Sequence, residues 1–297
     1  MSTHLLHAPQ VGRYTAGMPH LCYSGLSENW LLKECGHRHW LAIAHSQGQP
    51  QPEFRDAQGH KVYAAFTLVR ITHGRLELVE EHGAFSITTL CQPAGRAQHY
   101  SQHELLVHGR CIARVEMLSA FVQRAQPGNN RSVVRAVMAT PHAATAHPEL
   151  AIASEAFVRR GRERRAGVWE DVAEAREASA HETVFTPCPH SDFNGADLLY
   201  FSSFQALVDR AEWAWMLNAG AADRPARLLE RELVFYGNLD LGDSVRTGLR
   251  VHAAHNGQLA HYSELRRGSD GMRIAEVFTR KAATRQEARA PAWVLAA

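Results

Sequence analysis

Two stretches of this chain carry residue types that could stabilise an oxygen on which negative charge develops. Pro19-His20-Leu-Cys-Tyr-Ser-Gly25-Leu26 and Pro189-His190-Ser-Asp-Phe-Asn-Gly195-Ala196 set Pro, His and Gly in one register, 170 residues apart. Each runs through a glycine into a helical pattern. The first N–H groups of a helix have no intrahelical acceptor, and the helix dipole favours negative charge there. Gly25 to Asn29 and Gly195 to Leu199 are therefore candidate oxyanion sites, with Leu26 and Ser27 in the first of them. Asn29 and Asn194 add neutral amide donors, and Asn194 could equally cap a helix or hold a turn. Asp192 is either a general base or a helix cap, and Ser27 reads as a helix-start residue. His20 and His190 either act or fix their turns. No cluster of histidines and carboxylates has metal-ligand spacing, so no zinc site is expected.

The elements that must position these residues are themselves duplicated. After the first glycine, Leu26, Trp30, Leu31 and Cys35 recur at helical spacing; after the second, Phe201, Phe204, Val208, Ala211 and Trp215 do so, with Asp209, Arg210 and Glu212 between them. The tryptophans at 213 and 215 read as core and interface. Strand patterns follow each helix. In the first half they are Lys61 to Thr72, Arg75 to Cys91 with a bend at Gly83, Glu104 to Val107, Cys111 to Arg124 and Ser132 to Thr140. In the second they are Arg231 to Leu239, Ser244 to His252, Gln258 to Arg267 and Arg273 to Lys281. Between the halves, 141–181 reads as a linker with helical propensity whose run Arg159-Arg160-Gly-Arg162-Glu-Arg164-Arg165 forms a solvated face or meets an anionic partner. The expected organisation is one unit over 1–140, a linker over 141–181 and a second unit over 182–297.

Composition excludes several classes. With 297 residues, the chain is long enough for two domains or one fused pair. A formal charge of +2 supplies no large field, so neither nucleic acid nor an anionic membrane is an expected partner. Five cysteines without a CxxC spacing fit a reducing compartment, and MSTHLLHAPQVGRY lacks the basic-then-apolar pattern of a secretory signal, so the chain is expected to be cytoplasmic.

One long helix followed by an antiparallel meander, twice over, is the double hot-dog arrangement, an α+β fold. Asp192-Phe-Asn194-Gly195-Ala-Asp-Leu-Leu199-Tyr200 resembles the Asp-x-Asn-Gly turn and tyrosine-bearing helix start of hot-dog thioesterases and dehydratases, and Glu232 to Asp243 resembles their strand and Gly-Asp turn. Gly25 to Trp40, Val62-Tyr63-Ala-Ala-Phe66 and Asp192 to Trp213 together resemble the bifunctional acyltransferase/decarboxylases of polyketide assembly lines, such as that of leinamycin biosynthesis. The resemblance spans most of the chain and is vaguest over 141–181.

That resemblance implies an enzyme that takes a malonyl-type group, methylmalonyl, from coenzyme A, decarboxylates it and leaves the acyl group on an acyl carrier protein. It implies no metal or bound cofactor, only the coenzyme A thioester as substrate and the phosphopantetheine arm of the carrier-protein partner. Tyr63 is implied as the acyl-bearing residue, with His37 and His39 as helpers that could activate the phenol, a poor nucleophile while it keeps its proton. Tyr63 can also be read as a buried strand residue. Decarboxylation needs donors aimed at the thioester oxygen as enolate charge develops, a role open to Asn194 and to both helix starts. Two other readings stand: a hot-dog thioesterase or dehydratase using Asp192 or Asn194, and a non-catalytic module that binds carrier protein. A fused pair is compatible with a monomer or a homodimer.

Overall fold

The fold comes from a computed structural model that describes residues 9–95, 97–136, 148–169, 172, 176, 179–219, 225–255 and 258–282. The N-terminal unit contains β1 (Gln10–Thr15), the short pair β2 (Leu21–Cys22) and β3 (Gly25–Leu26), and helix α1 (Glu28–Ser46). It continues with β4 (Tyr63–Thr72), β5 (Ala84–Pro93), β6 (Gln98–Val107), β7 (Arg110–Arg124) and β8 (Val133–Arg135). Helix α2 (Pro148–Arg165) leads to β9 (Ala180–Phe185), helix α3 (Phe201–Asn218), β10 (Arg227–Phe235), β11 (Val245–His255), β12 (Gln258–Arg267) and β13 (Arg273–Ala282).

Eleven strands form one antiparallel sheet in the order β1-β5-β6-β7-β4-β10-β13-β12-β11-β9, with β8 beside β7. Read outward from the centre, β4-β7-β6-β5-β1 and β10-β13-β12-β11-β9 repeat one topology. The two units join where Arg70 and Val69 of β4 pair with Glu232 and Leu233 of β10. Both faces of this seam are buried. Val69, Ile71 and Leu233 pack on one side with Leu31 and Cys35 of α1 and Phe204 and Val208 of α3. On the other side Leu68, Leu118 and Val234 pack with Phe157 of α2 and with Trp169. Burial on both faces explains why the central strands read as runs of apolar residues rather than as alternations.

Several expectations need revision. Residues 75–83 are not strand: Leu76–Leu78 form a 3₁₀ turn, with Leu76 and Val79 in the core, and β5 begins only after Gly83. The edge strands β1 and β9 were not anticipated. Arg159 and Arg162 of the basic run are exposed, but Arg160 and Arg164 are not a solvated face, since each places a guanidinium nitrogen 2.6 Å from a Glu232 carboxylate oxygen beneath α2. The duplication is also shifted. Leu21 pairs with Leu26 before α1, and Phe193 bridges Leu199 before α3, so the counterpart of Gly25 is residue 198 rather than Gly195. Residues 28 and 201 open the two helices, leaving a longer loop after the second glycine.

Candidate active site

The start of α1 is built by local geometry. Ser27 caps the helix, its Oγ accepting from the Trp30 amide at 3.3 Å and its carbonyl from the Leu31 amide. The first-turn amides of Glu28 and Asn29 have no acceptor of their own within the helix. Gly25 holds φ at +109°, and a Cβ there would lie 2.4 Å from the carbonyl oxygen of Leu76, so only glycine lets β3 approach the 3₁₀ turn this closely.

A cavity of about 260 Å³ opens at this helix start. The first unit contributes Leu26, Ser27, Glu28, Asn29, Leu76 and Glu77, and the second Gln205 and Asp209 of α3, Arg227 and Leu228 of β10 and Lys281 of β13. Behind its wall Arg231 is completely buried. Its Nε lies 2.7 Å from Glu28 Oε1, an ion-pair contact without hydrogen-bond alignment, and its Nη2 donates to Asp209 Oδ1 at 2.7 Å. Lys281 Nζ donates to Asp209 and to Glu212, and Glu212 also meets His261 Nε2 at 2.9 Å.

These surroundings separate the carboxylates. Burial pushes the Glu28 carboxyl up to about 7, with Arg231 pulling the other way. Burial acts in the same sense on Asp209, but Arg231 and Lys281 beside it hold its carboxyl well below the usual carboxylate range. Glu28 can therefore exchange a proton near neutrality, whereas Asp209 stays ionised.

The other residues singled out in the sequence lie elsewhere. His39 points from α1 into the sheet, Nδ1 2.7 Å from Ser101 Oγ and Nε2 2.8 Å from Ser119 Oγ; the chain of polar groups continues through His103 and Thr89 to Arg38. Burial keeps the His39 imidazole well below its ordinary pKa. Its counterpart on α3, at the same distance from the helix start, is Glu212, so both helices turn a polar side chain toward the sheet at this position.

Asp192, Asn194 and Gly195 together build the loop into α3. Asp192 Oδ2 accepts from the Cys188 amide at 2.7 Å, Asn194 Oδ1 accepts from the amides of Ala196 and Leu198, and Gly195 is exposed. Where α3 begins, aromatic rings fill the space. Phe201 lies against Gly36, where a Cβ would come within 2.8 Å of the ring, and Trp40 stacks on Phe66 and Tyr200. Tyr63 is half-buried at the start of β4. Its hydroxyl has no hydrogen-bond partner among the described residues, and Lys61 Nζ lies 5.3 Å from its ring centroid. Asn29 Nδ2 donates to the Ser202 carbonyl oxygen at 3.1 Å and so ties the two helix starts together. The structure thus gathers Leu26, Ser27 and Asn29 on one cavity, with Gly25 shaping its approach, and brings neither Tyr63 nor Asn194 into it.

No protein-family model and no curated protein sequence matches the chain. Among solved structures it is similar to one described as 12:0-ACP thioesterase from Umbellularia californica, with a TM-score of 0.64, 10% identity and coverage of 96% of this chain and 100% of the other. A second, an acyl-ACP thioesterase from Bacteroides thetaiotaomicron, gives a TM-score of 0.59 at 10% identity over 95% of this chain and 100% of its own. The fold is a double hot-dog. The double hot-dog frame accounts for the site's placement: the start of one unit's helix faces the other unit's helix and strands.

The sequence reading missed Glu28, Glu77, Gln205, Asp209, Arg227, Arg231 and Lys281. One signal was present, because 205, 209 and 212 lie at helical spacing beside the apolar stripe of α3; a polar stripe at that spacing usually faces solvent.

Proposed function

We propose that this chain hydrolyses an acyl thioester in the cavity at the start of α1. One observation carries the reading: Glu28 and Asn29, whose first-turn amides have no acceptor within α1, line one cavity, and the Glu28 carboxylate is buried at the same helix start. The thioester oxygen sits before the amides of Glu28 and Asn29, where charge develops in the tetrahedral intermediate. Glu28 takes a proton from the water whose oxygen bonds the thioester carbon, the carbon–sulfur bond breaks, and Glu28 returns the proton to the departing sulfur, giving acid and thiol. Asp209 serves as a fixed counter-charge that keeps Arg231 and Lys281 in place. The thioesterase descriptions of both structural neighbours support the same reaction class. Substrates are acyl groups on coenzyme A or on an acyl carrier protein, in the cytoplasm. All five cysteines are free, which suits that compartment. The test is thiol release from a panel of acyl-coenzyme A and acyl-carrier thioesters; no release from any of them overturns the proposal.

A second reading is favoured by Tyr63. A half-buried phenol without a hydrogen-bond partner, beside the Lys61 ammonium, suits an acyl acceptor in a decarboxylating acyltransferase that moves the residue of methylmalonyl-coenzyme A to a carrier protein. The carboxylates around the α1 cavity make that cavity a poor seat for a malonyl carboxylate, so this chemistry would run on the Tyr63 side. Mass spectrometry of the carrier protein separates the readings. A decarboxylated acyl group on its phosphopantetheine arm, lost in Tyr63→Phe, supports transfer; free acid alone supports hydrolysis.

A further inference from the structure

Two buried side-chain oxygens of residues that line the α1 cavity have no hydrogen-bond donor among the described residues. Gln205 is 3% exposed, and its Oε1 has no partner among the described residues. Its orientation is fixed, because Nε2 donates to Asp209 Oδ2 and a flipped amide would set two oxygens against each other. Asp209 is in turn held by Arg231 and Lys281. On the first unit's side, Glu77 Oε1 accepts from Arg227 while its buried Oε2 accepts from nothing described. Gln205 and Glu77, one from each unit, therefore bring two unpartnered oxygens to the walls of one space, and the nearby cations are already engaged.

A space this polar is filled by water when empty, and a ligand that displaces the water must bring equivalent donors. A bare alkyl chain cannot. The sign of the donor follows from charge: with Glu28 protonated, Glu77, Asp209 and Glu212 are matched by Arg227, Arg231 and Lys281, leaving no surplus for an ammonium or a carboxylate on the ligand. Glu212, one step further from the cavity, shares Lys281 and accepts from His261.

We infer that the acyl group accepted here is hydroxylated, its hydroxyl donating to Gln205 Oε1 in the space also faced by Glu77. The inference rests on the hydrolase reading for its thioester but not for its hydroxyl, and it adds the substrate class to that reading. A site built to hydrogen-bond a substrate hydroxyl discriminates strongly against the analogue without it, because the buried acceptor is then left unpaired.

The experiment measures affinities of the full chain for non-hydrolysable thioether analogues of butyryl-coenzyme A and its 2-, 3- and 4-hydroxy and amino derivatives, alongside turnover of the corresponding thioesters. At least one hydroxy analogue is expected to bind about tenfold or more tighter than the butyryl analogue. Gln205→Leu is expected to erase that preference. The wild-type panel decides by itself if the variant fails to fold. Equal affinity across the panel, or an amino analogue bound best, overturns the inference while thioester turnover leaves the hydrolase reading standing. A hydroxyl preference without turnover of any thioester sinks the hydrolase reading alone, and binding of no analogue sinks both.

Discussion

The sharpest consequence of the α1 cavity concerns Glu28. With its carboxyl pushed up to about 7 by burial, the residue is protonated in roughly ten molecules of eleven at pH about 6 and ionised in roughly the same share at pH about 8. If it is the base, kcat/KM rises about tenfold over that interval and then levels off. Glu28→Gln keeps the size and one acceptor oxygen but cannot take a proton, so kcat should fall by about 10²- to 10⁴-fold with the pH dependence abolished. The fold should survive, since Arg231 retains Asp209 at 2.7 Å. Stability gives an independent readout. The folded-state value lies above the ordinary 4.5, so the folded chain keeps a proton that the unfolded chain has lost between those values. This contribution is present below 4.5 and disappears as pH rises through about 7; urea midpoints across that range should show the loss in wild type and not in the variant. A flat wild-type rate profile, or a variant that turns over normally, would refute the assignment.

Other residues give equally direct tests. Gly25→Ala forces a Cβ to 2.4 Å from the Leu76 carbonyl oxygen at φ +109°, and should cost on the order of 1–3 kcal/mol in urea unfolding and displace the start of α1, lowering activity as well. Gly195→Ala meets nothing within 4 Å and should be silent in both assays. Asn194→Ala removes the acceptor of two loop amides and should destabilise by about 1–2 kcal/mol while leaving kcat unchanged; a slowed reaction at wild-type stability would place Asn194 at the chemistry after all. His103, held down to about 3 chiefly by burial with Arg38 adding to it, gains a proton on unfolding between about 3 and its ordinary 6.5. Its contribution is fully present above 6.5 and is lost toward acid at about 1.4 kcal/mol per pH unit, a slope that His103→Asn should remove from urea midpoints.

Much of the architecture was written locally. Helical spacing of Leu31 and Cys35, and of Phe204 and Val208, marked the two core-facing helices, and β-rich runs marked β4, β7, β10, β12 and β13, because both patterns depend only on neighbours along the chain. The edge strand Gln10–Thr15 escaped because its alternation in burial is not one of apolarity: Gln10 and Gly12 lie on the inner face and Val11 on the outer. The glycine motif was legible yet misaligned, since bridge pairing rather than residue type fixes which positions correspond.

The sequence alone established a duplicated α+β chain with two amphipathic helices and a helix start at Gly25 to Asn29. Only the tertiary structure decided that this start opens onto Gln205, Asp209 and Lys281, and that the start of α3 is filled by Phe201, Trp40 and Tyr200. The reason is electrostatic as much as geometric. Glu28, Asp209, Arg231 and Lys281 look like solvated charges one at a time, and become a network around the buried Arg231 only when the sheet brings the two units together.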